Sequence, residues 1–187
     1  YNTILPPFKA ANDAGIRTYM NSFNILNGVP ATGSSFLQRE ILKGKWKFDG
    51  FVVTDWGSIR EMIVHGYAKD GVEATEKAAN AGSDMDMESS LYVTELVKLV
   101  NEGKVKEALI DDAVRRILRV KFELGLFDNP YKYCDLKRPK RDIFTKEHRD
   151  VARKIASESF VLLKNQPAKT GQAPVLPLAK KGTVAVI

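Results

Sequence analysis

The sequence predicts an α/β fold built on parallel strands, and three observations carry that prediction. Short β-branched or apolar runs alternate with amphipathic helical patterns through residues 1–127. The run Phe51 to Thr54 is apolar or β-branched at successive positions, as expected of a strand buried on both faces. Glycines at 15, 50, 82, 103 and 125 punctuate the pattern where one element gives way to the next. With 187 residues, 44% of them hydrophobic, the chain has material for a sizeable core.

The elements follow in order. A short helix around Lys9 to Asp13 ends at Gly15, and Arg17 to Ser22 reads as a strand. Ser34 or Ser35 can cap a helix whose Leu37/Ile41 and Leu42/Trp46 pairs are spaced i,i+4. The Phe51 to Thr54 strand comes next, and Gly57 to Met62 starts another helix. Glu73 to Ala81 predicts a small helix with a Glu73/Lys77 pair, followed by a third short strand at Asp84 to Met87. Val93, Leu96, Val97 and Val100 share one helical face. Asp111 and Asp112 suit the first turn of a further helix, with Ala113, Val114, Ile117, Leu118 and Leu124 as its apolar face. Beyond it, Asp128 to Pro139 is aromatic, polar and proline-broken, which predicts a connection. An amphipathic helix over Lys146 to Ser157 and strands at Phe160 to Leu163 and Val184 to Ile187 then open a second α/β unit.

Three βα repeats cannot close a sheet into a (β/α)₈ barrel, which takes about 250 residues. Half a barrel would leave parallel strand edges open, so the expected organisation is the last units of a barrel whose earlier strands precede Tyr1. The absence of an initiator methionine and the apolar ending, Thr183 to Ile187, agree with a segment cut from a longer polypeptide. The expected divisions are a partial barrel over 1–127, a linker over 128–145 and the start of a second domain over 146–187.

Composition narrows the function classes. The net charge is +6, but basic residues are spread over several helices apart from Lys137 to Arg141, where no aromatics interleave to stack bases. A solvated connection is therefore expected there rather than a nucleic-acid surface. Cys134 is the single cysteine, and the two histidines, His65 and His148, form no cluster with it, so neither a disulfide within the chain nor a zinc site is expected. No run is long and apolar enough to cross a bilayer. No cofactor is called for, and oligomeric state is not legible.

The chemistry concentrates in GFVVTDWGS, Gly50 to Ser58. A buried parallel strand delivers Asp55 to its C-terminal tip, the edge where α/β sheets and barrels place ligands. Beside it, the Trp56 ring offers an apolar platform for a sugar, while the carboxylate can face positive charge developing at an anomeric carbon. Spacing alone equally admits Asp55 as the cap of the helix that follows. Asp84 and Asp86 alternate along their short run, for which hydrogen-bonding or capping roles are expected. Arg115 and Arg116 suit bracing of a helix interface.

Taken together, MNSFN at Met20 to Asn24, NGVP at Asn27 to Pro30, GFVVTDWG at Gly50 to Gly57, GSDMDM at Gly82 to Met87, RRILRVKFELGLFDNPY at Arg115 to Tyr131 and SFVLLKN at Ser159 to Asn165 resemble, in order, successive blocks of the family-three β-glucosidases. The resemblance implies the C-terminal part of a (β/α)₈-like barrel followed by the start of an α/β sandwich domain, with retaining hydrolysis of β-glucosides as the activity. It places the nucleophile on Asp55, with Trp56 and Met20 against the sugar and Met87 a candidate pocket residue. Where the family often has tyrosine this chain has Phe23, which lacks the hydroxyl that could bond the nucleophile or sugar. The resemblance to bacterial periplasmic members implies a periplasmic or secreted location, with a β-glucoside or oligosaccharide as the partner. The acid/base glutamate is implied to lie in the sandwich domain, beyond Ile187. Alternatives are a non-catalytic carbohydrate-binding or scaffold barrel, and a β-N-acetylhexosaminidase or β-xylosidase of the same superfamily. A phosphate-binding barrel would need a glycine-rich anion loop opening a helix, which the sequence lacks.

Overall fold

Phe51, Val52 and Val53 form the strand that their apolar run predicts, here β4, and Val52 at its centre is 1% exposed. The computed structural model describes residues 2–167, 169–178 and 180–183. They belong to two compact units, residues 1–133 and 134–187.

The first unit is α/β. Helix α1 (Leu5–Asp13) precedes β1 (Thr18–Met20), which pairs in parallel with β4 in the register Thr18↔Phe51, Tyr19↔Val52, Met20↔Val53. Strand β1 is thus shorter than the predicted Arg17 to Ser22. Between the two lies a hairpin that the sequence reading did not anticipate, β2 (Ile25–Leu26) with β3 (Val29–Pro30). Its turn is Asn27-Gly28, both left-handed at φ 52° and 82°, the backbone that a two-residue hairpin loop requires.

A turn of 3₁₀ helix, Ala31–Gly33, leads to a helix over Phe36–Lys45. Its winding is π-type, as shown by the Trp46 N–H reaching the Ile41 carbonyl at 2.9 Å, although the i,i+4 spacing predicts an α-helix. Ile41 and Leu42 are buried, and Ser34 Oγ accepts from the Leu37 N–H at 3.3 Å, so Ser34 rather than Ser35 bonds the first turn.

Helices α2 (Ser58–Val64), α3 (Gly71–Ala81), α4 (Leu91–Asn101) and α5 (Glu107–Glu123) follow β4. α3 begins at an Asp70 cap, whose side chain accepts from the Glu73 N–H at 2.9 Å while Glu73 accepts from the Lys69 N–H at 2.8 Å. The expected Glu73/Lys77 pair forms at 2.9 Å. Buried alanines at 74, 78, 79 and 81 let neighbouring helices approach α3 closely. Ala74 and Ala78 join Ile59 and Met62 in one cluster; Ala79 joins Leu99 and Val105 in another.

Helix α5 starts at Glu107, so Asp111 and Asp112 lie in its second turn and pair with Arg115 and Arg116 four residues on. Arg116 also donates to the Phe48 and Gly50 carbonyls at 3.0 and 2.9 Å and braces the entry to β4, whereas Arg115 stays on the surface. Asp84 to Met87 is not a full strand: one parallel bridge, Val53↔Met85, joins it to β4.

The second unit contains α6 (Arg138–Asp142), inside the predicted connection, and α7 (Lys146–Glu158), capped by Thr145, which accepts from the His148 N–H at 3.2 Å. Phe160 to Leu163 forms no strand; all four residues are exposed. An apolar run takes up β structure only when another strand meets its hydrogen-bonding edges, and among the described residues none does. The predicted strand Val184 to Ile187 lies outside the described residues.

Close packing at Gly50 sets one test. A Cβ there would sit 2.0 Å from the Arg17 carbonyl oxygen and 2.6 Å from the Phe48 ring. Gly50→Ala is expected to destabilise the protein by about 3 kcal/mol, read from urea unfolding. Asp70→Ala, which removes only a cap, is expected to cost about 1 kcal/mol.

Candidate active site

Parallel pairing brings the tips of β1 and β4 to the same edge. Met20 is the last residue of β1, and Asp55 lies two residues beyond β4. The segment Asp84 to Met87 closes on the loop from the far side. Thr54 N–H donates to the Met85 carbonyl at 2.9 Å, Met87 N–H donates to Thr54 Oγ1 at 2.8 Å, and Gly57 N–H donates to the Met87 carbonyl at 2.9 Å. Met87 therefore meets the Asp55 loop through its main chain.

Asp55 is half-buried. Its Oδ1 accepts from the Trp56 N–H at 2.7 Å, and its carbonyl accepts from the Ser58 N–H at 3.2 Å. The helix that follows has Gly57 at its cap position and no side-chain capping bond, so the capping role that spacing allowed Asp55 is not adopted. Among the described residues Asp55 enters no ion pair. Trp56 is 65% exposed and Met20 55%, large apolar side chains left open at this edge; Phe23, in the loop after β1, is also exposed.

Beneath the loop lies a layer of polar side chains. Asn21 Oδ1 accepts from the Asp55 N–H at 3.4 Å and lies 3.1 Å from Thr32 Oγ1 and 3.4 Å from Ser58 Oγ. Asn21 Nδ2 donates to Ser83 Oγ at 3.1 Å, and Thr32 Oγ1 donates to Ser58 Oγ at 2.9 Å. Gln38 Nε2 donates to the carbonyls of Ala31 and Thr32 at 3.0 and 2.9 Å. None of these residues was singled out individually from the sequence. Asn21 stood within the MNSFN block, and the signal available was a polar side chain directly after a strand that ends at a ligand-facing edge.

Asp84 and Asp86 have structural partners. Asp84 Oδ2 accepts from the Val52 N–H at 2.8 Å and its Oδ1 from Lys43 Nζ at 2.6 Å. Asp86 accepts from Ser89 Oγ at 2.6 Å and from the Tyr92 N–H at 3.3 Å, at the start of α4. Burial pushes the Lys43 ammonium below the ordinary lysine value, and the neighbouring Asp84 carboxylate opposes that shift. His65 lies at the end of α2 facing Glu61, and His148 at the start of α7, so neither stands at the strand tips. No group of three potential metal ligands gathers among the described residues.

A cleft of about 620 Å³ opens along β1, lined by Phe8, Tyr19, Met20, Leu26 and Trp46 among others. Asp55 and Trp56 are not among its lining residues. Its walls are mostly apolar, with Asn21 and Gln38 among the polar residues that line it.

Residues 1–120 match the profile of the glycosyl hydrolase family 3 N terminal domain. The chain belongs to glycosyl hydrolase family 3. Two curated proteins align along most or all of it: the periplasmic beta-glucosidase of Salmonella typhimurium, 42% identical over 100% of this chain, and a beta-xylosidase of Formosa agariphila, 36% identical over 86%. The chain spans 24% and 23% of the length of those two relatives, respectively. The crystal structure of a beta-glucosidase from Listeria innocua in complex with glucose superposes with a TM-score of 0.74 and 43% identity, over 95% of this chain and 23% of that one. Among the described residues, no helix is long and apolar enough to cross a membrane.

Tyr92 gives this family 3 segment a pH signature. Burial, reinforced by Asp84 and Asp86, raises its phenol well above the ordinary 10.0, and its hydroxyl donates to the Ser83 carbonyl at 2.7 Å. The folded state keeps the proton that the unfolded chain releases, so stability falls as pH rises above 10.0 and through the folded-state value. Tyr92→Phe is expected to flatten that alkaline decline in urea-unfolding measurements from pH 9 to 11.

Proposed function

We propose that the full-length polypeptide carrying this chain hydrolyses terminal non-reducing β-D-glucosyl residues with retention of configuration, by double displacement with Asp55 as the nucleophile. The observation that carries the proposal is Asp55 itself: a carboxylate at a parallel-strand tip, with no ion pair among the described residues and no capping duty, followed by the exposed Trp56 ring and on the edge where β1 ends in the exposed Met20. In this scheme the carboxylate attacks the anomeric carbon to form a glycosyl ester, which water then hydrolyses. Trp56 and Met20 supply apolar contact to the sugar ring, with Phe23 and Met87 as further lining residues.

The reaction requires a second carboxyl group about 5–5.5 Å from the nucleophile to protonate the departing oxygen. We assign it to the α/β sandwich domain, of which residues 146–187 form the beginning, joined through residues 128–145 to a (β/α)₈-like barrel whose last units are residues 1–127. The beta-glucosidase relatives favour glucosides; the beta-xylosidase relative supports a second reading in which the sugar is xylose. The relative's periplasmic description supports a periplasmic or secreted location.

Treating the full-length protein with a mechanism-based 2-fluoroglucoside and mapping the labelled peptide is expected to place the adduct on Asp55. Asp55→Asn is expected to lower kcat by about 10⁴-fold or more, and the first product observed by NMR should be the β-anomer. An adduct on another residue, or an α-anomer formed first, overturns the assignment. The ratio of kcat/KM for aryl β-glucoside to aryl β-xyloside separates the two sugars. Residues 1–187 alone are expected to show almost no turnover, because this reading assigns the acid/base group to a part of the polypeptide outside them.

A further inference from the structure

The Asp55 turn is open to solvent on one side and anchored on the other, and its anchors converge on one carboxamide. The Asp55 N–H has Asn21 Oδ1 as its acceptor at 3.4 Å. That oxygen also lies within hydrogen-bond distance of the Ser58 and Thr32 hydroxyls, and Nδ2 of the same group donates to Ser83 Oγ. Asn21 is in turn tied to β4 by its own main chain, since its N–H donates to the Val53 carbonyl at 3.1 Å. One side chain thus links four segments: the loop after β1, the 3₁₀ turn, the loop after β4 and the start of the bridging segment. Thr32, Ser58 and Ser83 are each no more than 4% exposed, so these hydroxyls meet Asn21 from the buried side, while Asn21 itself is half-buried and lines the cleft along β1.

We propose that Asn21 is the positioning residue of the nucleophile: its carboxamide oxygen holds the Asp55 main chain and thereby sets the direction of the carboxylate. The proposal rests on Asp55 being the nucleophile and goes beyond it by naming what aims it. Covalent attack tolerates little error, and a displacement of about 1 Å costs about 10²-fold in rate. Replacing Asn21 with leucine, of similar volume, removes the acceptor of the Asp55 N–H and a partner of three hydroxyls. Replacing it with aspartate keeps the acceptor and places a second negative charge close to the nucleophile.

The test uses the full-length protein as Asn21→Leu and Asn21→Asp. Two readouts respond to positioning and not to global stability: the limiting rate of covalent trapping by the 2-fluoroglucoside per folded active site, and amide hydrogen exchange in the peptide covering residues 52–58. Asn21→Leu is expected to slow trapping about 100-fold and to speed exchange of the Asp55 and Trp56 amides more than about tenfold, with glucose affinity changed less than about threefold. Asn21→Asp is expected to keep trapping within about tenfold at high pH and to move the acid limb of kcat/KM upward, because a like charge disfavours ionisation nearby. If Asn21→Leu lowers only the melting temperature and leaves trapping and exchange as in the parent, the proposal is wrong. Should that variant fail to fold, Asn21→Asp decides, and an unmoved acid limb overturns the proposal. A parent protein that is labelled elsewhere than Asp55 overturns the proposed function instead, while the exchange measurement still reports whether Asn21 anchors this turn.

Discussion

The Asp84 carboxylate is the constraint on which the arrangement around β4 depends. One oxygen takes the Val52 N–H and the other takes the Lys43 ammonium, and both side chains of the ion pair are less than 10% exposed. An ion pair so deeply placed costs desolvation on both partners, and its opening would leave an uncompensated charge in the interior. The depressed pKa of Lys43 is the signature of that desolvation. What the pair secures is position: it ties the π-helix, β4 and the Asp84 to Met87 segment, whose Met85 bridges to Val53, at one point. The Asp55 turn leaves β4 only three residues after Val52, so its place in space is inherited from that point.

Around this polar pin the packing is graded by side-chain size. On one side Leu42, Phe48 and Val52 form an apolar cluster against Tyr19 and Trp46; on the other, the alanine-rich face of α3 admits α2 and α4 at close range. Arg116 closes the entry to β4 by donating to carbonyls that a strand beginning at Phe51 leaves without ladder partners. The apolar groups hold the elements together without direction, and the hydrogen-bonded groups choose which registers are permitted. At the strand tips the bonded side chains Asn21 and Thr54 anchor the loops, while the large apolar side chains Met20 and Trp56 remain exposed.

Most helices were legible because their signals are local. The Glu73/Lys77 pair, the valine and leucine spacing of α4 and the glycine at the end of α5 each act within a few residues, and the structure places helices over all three. The Asn27-Gly28 hairpin carries an equally local signal, a left-handed two-residue turn between two short strands. Strands fared worse. Asp84 to Met87 and Phe160 to Leu163 have suitable side chains, but a strand is completed by its neighbours, and these runs meet one bridge and no partner respectively. For Asp55, spacing left two roles open, and the structure shows that its carboxylate bonds the Trp56 N–H and does not cap the helix that follows.

By itself the sequence determined the α/β class, the place of most helices, the family and the acid at the strand tip, because periodicity, capping residues and an ordered set of motifs are written along the chain. Only the tertiary structure decided that Asp84 serves Val52 and Lys43, that Asp55 is spared from capping, and that Asn21, Thr32, Ser58 and Ser83 meet beneath it. Those contacts join residues from 11 to 62 positions apart. Hydrogen bonds of that kind depend on angles and on distances of a few tenths of an ångström, and these exist only once the chain has folded.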